Sequence, residues 1–161
     1  MPVPATFAVV HPSSEPALDI LYRYNVDIVG RFYGREASDE EVRRAMVDEP
    51  SDDLVGESGL LVVAYLGSEL VGCAGARFVS DDVAELTRVF VDARARGNGV
   101  GASIVEFVEG AVLDSHRTTI RLDTRADLIE ARRLYSRLGY VDVPAFNGEP
   151  YAEVWLEKQL S

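Results

Sequence analysis

Cysteine is nearly absent from this sequence, and lysine, histidine and tryptophan are scarce. The one cysteine, Cys73, has no intrachain disulfide partner, and no base stands beside it in sequence. It reads as a small core residue rather than a nucleophile. The two histidines, His11 and His116, lack a second ligand at metal-binding spacing, so no metal site is expected. No apolar run reaches the roughly 18 residues that cross a bilayer. The opening Met-Pro-Val-Pro-Ala has neither the basic nor the apolar region of a signal peptide. Positive charge is also short: 16 lysines and arginines face 27 acids, a net charge of −11. That balance excludes general nucleic-acid binding and mildly favours a cationic partner. Together these absences lead us to expect a soluble cytoplasmic protein with no membrane or nucleic-acid partner.

What is present suits one domain spanning residues 1–161. Hydrophobic residues make up 47% and charged residues 27%, and the length suffices to bury a core without staples. Residues 6–10 predict a first strand. Pro16 opens a helix in which Leu18, Leu21, Tyr22 and Ile28 recur near helical spacing, with glycines at 30–34 breaking it. Ser38-Asp39-Glu40-Glu41 has the capping-box pattern and starts a second helix running through Met46. The acids, densest over 36–57, read as solvated surface.

Residues 60–66, 70–79 and 83–91 predict a strand meander, with turns at Gly67-Ser68 and Asp81-Asp82. Val100, Ile104, Phe107, Val108, Ala111 and Val112 trace one apolar helical face. A strand over 119–123 follows. Leu128, Ala131, Leu134, Tyr135 and Leu138 then mark a helix stopped by Gly139. Strands over 140–143 and 152–156 close the chain. The order is β-α-α-β-β-β-α-β-α-β-β. It predicts an α/β (α+β) fold with a mixed, mostly antiparallel sheet of about seven strands and helices on both faces.

The most informative segment is Arg94-Ala95-Arg96-Gly97-Asn98-Gly99-Val100-Gly101-Ala102. Glycines let backbone approach a ligand closely, and the helix that follows points unpaired N–H groups back at the loop. A strand, a glycine-rich turn and a helix make an anion site suited to a diphosphate. Arg94 and Arg96 add local positive charge. A P-loop would need a lysine, and none is present here. Gly97-x-Gly99-x-x-Ala102 also fits a relaxed dinucleotide fingerprint, with Asp123 near the spacing of a ribose-binding acid. Against that reading, residues 92–96 separate the strand from the first glycine, and a meander precedes the loop.

Arg96-Gly97-Asn98-Gly99-Val100-Gly101 resembles the [Gln/Arg]-x-x-Gly-x-[Gly/Ala] pyrophosphate loop of the GNAT superfamily of N-acetyltransferases. About 35 residues on, Ala131-x-x-Leu134-Tyr135-x-x-x-Gly139-Tyr140 resembles that superfamily's second coenzyme motif. The predicted strand order agrees with its fold. One departure stands out: many members carry Asn or Gln three residues before the matching alanine, and here that position is Leu128.

The resemblance implies an N-acetyltransferase that takes acetyl-CoA (acetyl-coenzyme A) as donor and a small-molecule, amino-acid or peptide amine as acceptor. It implies that Val89, Phe90 and Val91 hold the pantetheine arm through backbone groups, with an N–H near Phe90 or Val91 facing the thioester oxygen. Coenzyme contacts are expected from Arg96, Gly97, Asn98, Gly99, Val100, Gly101 and Ala102. Tyr135 would be the proton donor to the leaving sulfur, since a phenol of pKa about 10 outlasts a thiol of about 8.5.

Glu85 is the candidate base, acting through water. It stands six residues before Val91, on the same face of a regular strand unless a bulge intervenes. It could equally be a partner for Arg88 or Arg121. The acceptor side is expected where the break between the first two helices meets the late strand loop, with Arg31, Phe32, Tyr33, Phe146, Asn147 and Tyr151 as candidates. The other reading is a non-catalytic acyl-coenzyme A-binding regulatory module. Edge strands and family habit point to a homodimer.

Overall fold

The long strands carry apolar residues at consecutive positions, the pattern of a sheet covered on both faces. A computed structural model, describing residues 4–161, has that architecture. Its elements are β1 (Ala5–Val9), α1 (Glu15–Tyr33), α2 (Asp39–Asp48), β2 (Gly59–Leu66), β3 (Glu69–Phe78) and β4 (Val83–Val91), then α3 (Val100–Asp114), β5 (Thr119–Thr124), α4 (Ile129–Arg137), β6 (Val141–Asp142) and β7 (Val154–Gln159). The seven strands lie in the order β1-β2-β3-β4-β5-β7-β6. Only the β4–β5 pair is parallel; the other pairs are antiparallel. One parallel pair cannot make the doubly wound sheet that a dinucleotide site requires, so that rival reading of the glycine loop fails.

Alternation along β2 shows how the layers form. Leu61 and Val63 pack beneath α1 with Ala17, Ile20 and Leu21. Val62 and Ala64 face the opposite way, toward Ile104, Val105 and Val108 of α3. Cys73 is fully buried on the α1 side, where burial pushes its thiol up to about 12, as suits a core residue.

Helix ends follow their local chemistry. The Glu41 N–H donates to Ser38 Oγ at 3.1 Å, and the Ser38 N–H donates back to Glu41 Oε1 at 2.9 Å. Arg35, 2.8 Å from Glu41, and the Ser38 amide lower the Glu41 carboxyl to about 2. The expected break at 30–34 is narrower than the sequence suggests, because α1 runs through Gly30 and stops only at Gly34, which caps it with φ +67°. A single interior glycine costs a helix only about 1 kcal/mol, and the apolar face of α1 outweighs that.

The sole lysine ties the far end of the sheet. Lys158 Nζ on β7 lies 2.9 Å from Glu109 Oε1 on α3, and the Tyr140 hydroxyl donates to Glu109 Oε2 at 2.8 Å. Glu109 is 8% exposed. Lys158→Met would leave a buried carboxylate without its cation. The expected loss is about 2 kcal/mol of unfolding free energy in urea, discounted from the fully buried case because Lys158 is partly solvated.

Candidate active site

A splay in the sheet builds the site. β4 and β5 pair only over Val83–Glu85 against Thr119–Arg121, and beyond that the two strands separate. Within β4 a bulge changes the register: Cys73 and Gly75 on β3 pair with Phe90 and Thr87, so three steps on β4 oppose two on β3. Arg88 sits in the bulge at φ +56°. That conformation costs on the order of 1 kcal/mol for a side chain with a Cβ.

The Arg88 guanidinium compensates through three hydrogen bonds. It donates to Ser51 Oγ at 3.1 Å, to Thr87 Oγ1 at 3.0 Å and to the Glu49 carbonyl at 3.0 Å.

The bulge reverses side-chain alternation. Ala84 and Leu86 face α3 before it, and Val89 and Val91 face α3 after it, while Phe90 turns toward Tyr24 of α1. Glu85 and Val91 therefore do not share a face, contrary to the regular-strand expectation. Glu85 lies on the α1 side, 3.3 Å from Arg121 Nη2. Of the two readings of Glu85, the ion pair with Arg121 is present, and the carboxylate also borders the cleft.

Backbone groups on the splayed half of β4 point into the gap. The Asp92 N–H donates to Val71 O of β3 at 2.8 Å, so alternation turns the Val91 amide away from β3. β5 offers it no partner there. The Val91 carbonyl, turned the same way, accepts from Arg96 Nε at 3.3 Å.

The glycine loop continues from this strand. Gly99, at φ +73°, is the N-cap of α3 and supplies no side-chain cap. Among the described residues, no protein acceptor takes the amide hydrogens of Gly99, Val100, Gly101 or Ala102. Four such amides at the positive end of a 15-residue helix form a site for an anion. Arg96, Gly97 and Asn98 are exposed around it, and Asn98 Nδ2 braces the loop on Ala95 O at 2.9 Å. The Val100 side chain is buried in the core, so only its backbone faces the mouth. A Cβ at Gly101 would touch Leu134 Cδ2 at 3.4 Å and Val91 Cγ2 at 3.7 Å, which places the mouth beside β4 and α4.

The splay opens a cleft of about 690 Å³ bounded by Val89, Leu128, Ala131 and Tyr135 among others. Tyr135 is 6% exposed. Burial raises its phenol pKa well above the ordinary value, and nearby Tyr24 adds to the rise; burial likewise lifts Tyr24 to about 12. No hydrogen bond to the Tyr135 hydroxyl occurs among the described residues. Leu128 caps α4 without a side-chain hydrogen bond and lines the cleft with carbon.

Of the acceptor-side candidates, Tyr151 lines the cleft, and Phe32 and Tyr33 pack outside it. Phe32 and Tyr151 stack edge-on with centroids 5.0 Å apart, joining the end of α1 to the β6–β7 loop, and Tyr33 packs on Phe32 at 5.0 Å. Arg31 lies 3.2 Å from Asp27 and 3.7 Å from Glu130. Phe146 and Asn147 act more as scaffold. Arg121 lies over the Phe146 ring at 4.2 Å, while Asn147 bonds Asp123 at 2.8 Å and Trp155 at 3.0 Å.

Sequence reasoning missed Tyr24, the place of Arg88 in the bulge and the acids of the loop after α2, and Arg88 is not the Glu85 partner it was offered as. Glu49, Asp52 and Asp53 border the cleft rather than open solvent alone, and Arg77 binds Asp53 through two nitrogens.

Residues 22–140 match the acetyltransferase (GNAT) family. The chain belongs to that family. It is 31% identical over 107 residues to a streptothricin acetyltransferase of Escherichia coli, covering 66% of this chain and 62% of that protein. It is 37% identical over 82 residues to an N-acetylaspartate synthetase of Xenopus tropicalis, covering 50% of this chain and 30% of that one. The chain thus spans less than two thirds of either relative's length. A GNAT acetyltransferase from Elizabethkingia anophelis, solved with acetyl-CoA bound, superposes with a TM-score of 0.65 at 16% identity, over 97% of this chain and 98% of the other. At that identity the likeness is one of fold. No helix of the described residues is long and apolar enough to cross a membrane.

Proposed function

We propose that this chain is an acetyl-CoA-dependent N-acetyltransferase acting on the primary amine of a small molecule, amino acid or peptide. The observation that carries the reading is the set of uncapped amides from Gly99 to Ala102, lying beside the splayed half of β4. These residues fit the coenzyme. The mouth of α3 suits its linked phosphates, the outward amide of Val91 suits its amide-bearing arm, and Arg96 and Asn98 flank the mouth. Family membership and the acetyl-CoA-bound fold neighbour support the same assignment. When bound, acetyl-CoA supplies an acetyl group activated as a thioester.

The protein's own groups then have distinct tasks. The Val91 N–H is a fixed donor where negative charge develops on the acyl oxygen. Tyr135 keeps the proton that the departing sulfur needs, because burial holds the phenol in its neutral form. The leucine at 128 offers apolar packing where relatives often offer an amide. Phe32, Tyr33 and Tyr151 form the outer wall for the acceptor. Glu85 takes the proton of the incoming ammonium through water, its charge held in place by Arg121. The exposed strands at either end of the sheet, β1 and β6, are where a second copy would pair, and the cytoplasm is the compartment we assign.

Glu85→Gln is expected to lower kcat/KM at neutral pH about tenfold, with the deficit shrinking by pH 9 as the amine loses its proton unaided. A loss of equal size at both pH values would assign Glu85 to structure alone. The proposal as a whole is tested by thiol release from acetyl-CoA across an amine panel; failure of the purified protein to bind coenzyme A would defeat it.

A further inference from the structure

The cleft that receives the acceptor is unevenly charged, and the imbalance survives once internal pairings are counted. Three arginines line it. Arg77 is bound to Asp53 and Arg125 pairs with Asp127 at 2.7 Å, while Arg88 donates only to neutral oxygens, those of Ser51, Thr87 and the Glu49 backbone, and keeps its charge. Of the lining acids, Asp53 has Arg77 and Asp123 accepts from Asn147. Glu85 has Arg121, but Glu49 and Asp52 at one lip and Glu149 at the other have no cationic partner among the described residues.

These acids do not wander freely. Arg88 fastens the backbone at Glu49 and the side chain of Ser51, and Arg77 fastens Asp53, so the segment bearing Glu49 and Asp52 is tied to β3 and β4 beside the cleft. A second observation marks this as a ligand cavity. Tyr135, 6% exposed and with no hydrogen-bond partner among the described residues, lines the same 690 Å³ space.

Resting on the acetyl-transfer reading, we infer that the acceptor is an amine with at least one further positive charge, the second ammonium or guanidinium lodging between Glu49, Asp52 and Glu149 while the reacting amine reaches toward Tyr135. A carboxylated acceptor fits poorly, because the lining acids without a cationic partner among the described residues outnumber Arg88, the one lining arginine without an anionic partner there. The rim is exposed, so the attraction is screened by salt: the Debye length falls from about 10 Å at 0.1 M to about 3 Å at 1 M.

The test compares acetylation of 1,4-diaminobutane and spermidine with that of 1-aminopentane, isosteric with the diamine, and of aspartate, at low and high salt. The expected kcat/KM for the diamine exceeds that for aminopentane by at least tenfold at low salt, and the gap closes at 1 M. In the double variant Asp52→Asn, Glu149→Gln the diamine-to-aminopentane ratio falls at least threefold. Circular dichroism and coenzyme A binding serve as the check that the variant is folded. Equal turnover of diamine and aminopentane, or a preference for aspartate, overturns the inference and leaves acetyl transfer standing. Absence of coenzyme binding takes down both.

Discussion

Gly99→Asp is expected to weaken coenzyme A binding about 100-fold, close to 3 kcal/mol, with the fold intact. A Cβ at this position meets nothing within 4 Å, and Asp is among the residues that tolerate the left-handed backbone found there. The substitution sets a carboxylate at the mouth of α3, where it can accept from the free amides and repel an incoming phosphate. Gly99→Asn separates the two effects. It is neutral and similar in shape, so its loss should stay within about tenfold. Calorimetric titration of both variants checks this. Equal, small losses would mean that the charge at the helix mouth has no part in binding.

Tyr135→Phe is expected to lower kcat by between about 10² and 10³, with KM for the amine changed less than twofold. The hydroxyl is the only group removed, and it bonds to nothing among the described residues, so thermal stability should hold. The pH profile adds a sharper check. Burial raises the Tyr135 pKa, so the proton is retained as pH climbs past the ordinary phenol value of about 10. The wild-type kcat should therefore show no falling limb below pH 10, whereas a surface tyrosine would begin to fail there. Full activity in the Phe variant would remove the acid role and mean that the sulfur departs as a thiolate or takes its proton from water.

Much of this site was legible because its signals are local. The capping box at Ser38, the glycines before α3 and the helical spacing of Leu128 to Leu138 each involve side chains within a few residues of one another. The bounds of β4 fell at Val83 and Val91 for the same reason. What the sequence withheld depends on contacts far apart in the chain. The bulge at Arg88 arises from the register between β3 and β4, and arginine carries no signal for a positive φ. That one hidden bulge undid the parity argument for Glu85. The acids at 49–53 looked like surface because their anchors, Arg77 and Arg88, come 24 and 37 residues later than Asp53 and Ser51. Tyr24 was passed over because its neighbour in the cleft, Tyr135, lies on another helix. Gly30 misled in the opposite sense, being a breaker by propensity and helical by packing.

The central claim concerns four amides, and amide resonances report on them directly. In ¹⁵N-labelled protein, adding coenzyme A should produce its largest shifts at Gly99, Val100, Gly101 and Ala102, whereas pantetheine, which has no phosphate, should shift Val89 to Val91 and leave those four nearly still. If coenzyme A and pantetheine moved the same resonances, or if the four amides stayed put while the coenzyme bound elsewhere, the account of this site would be wrong.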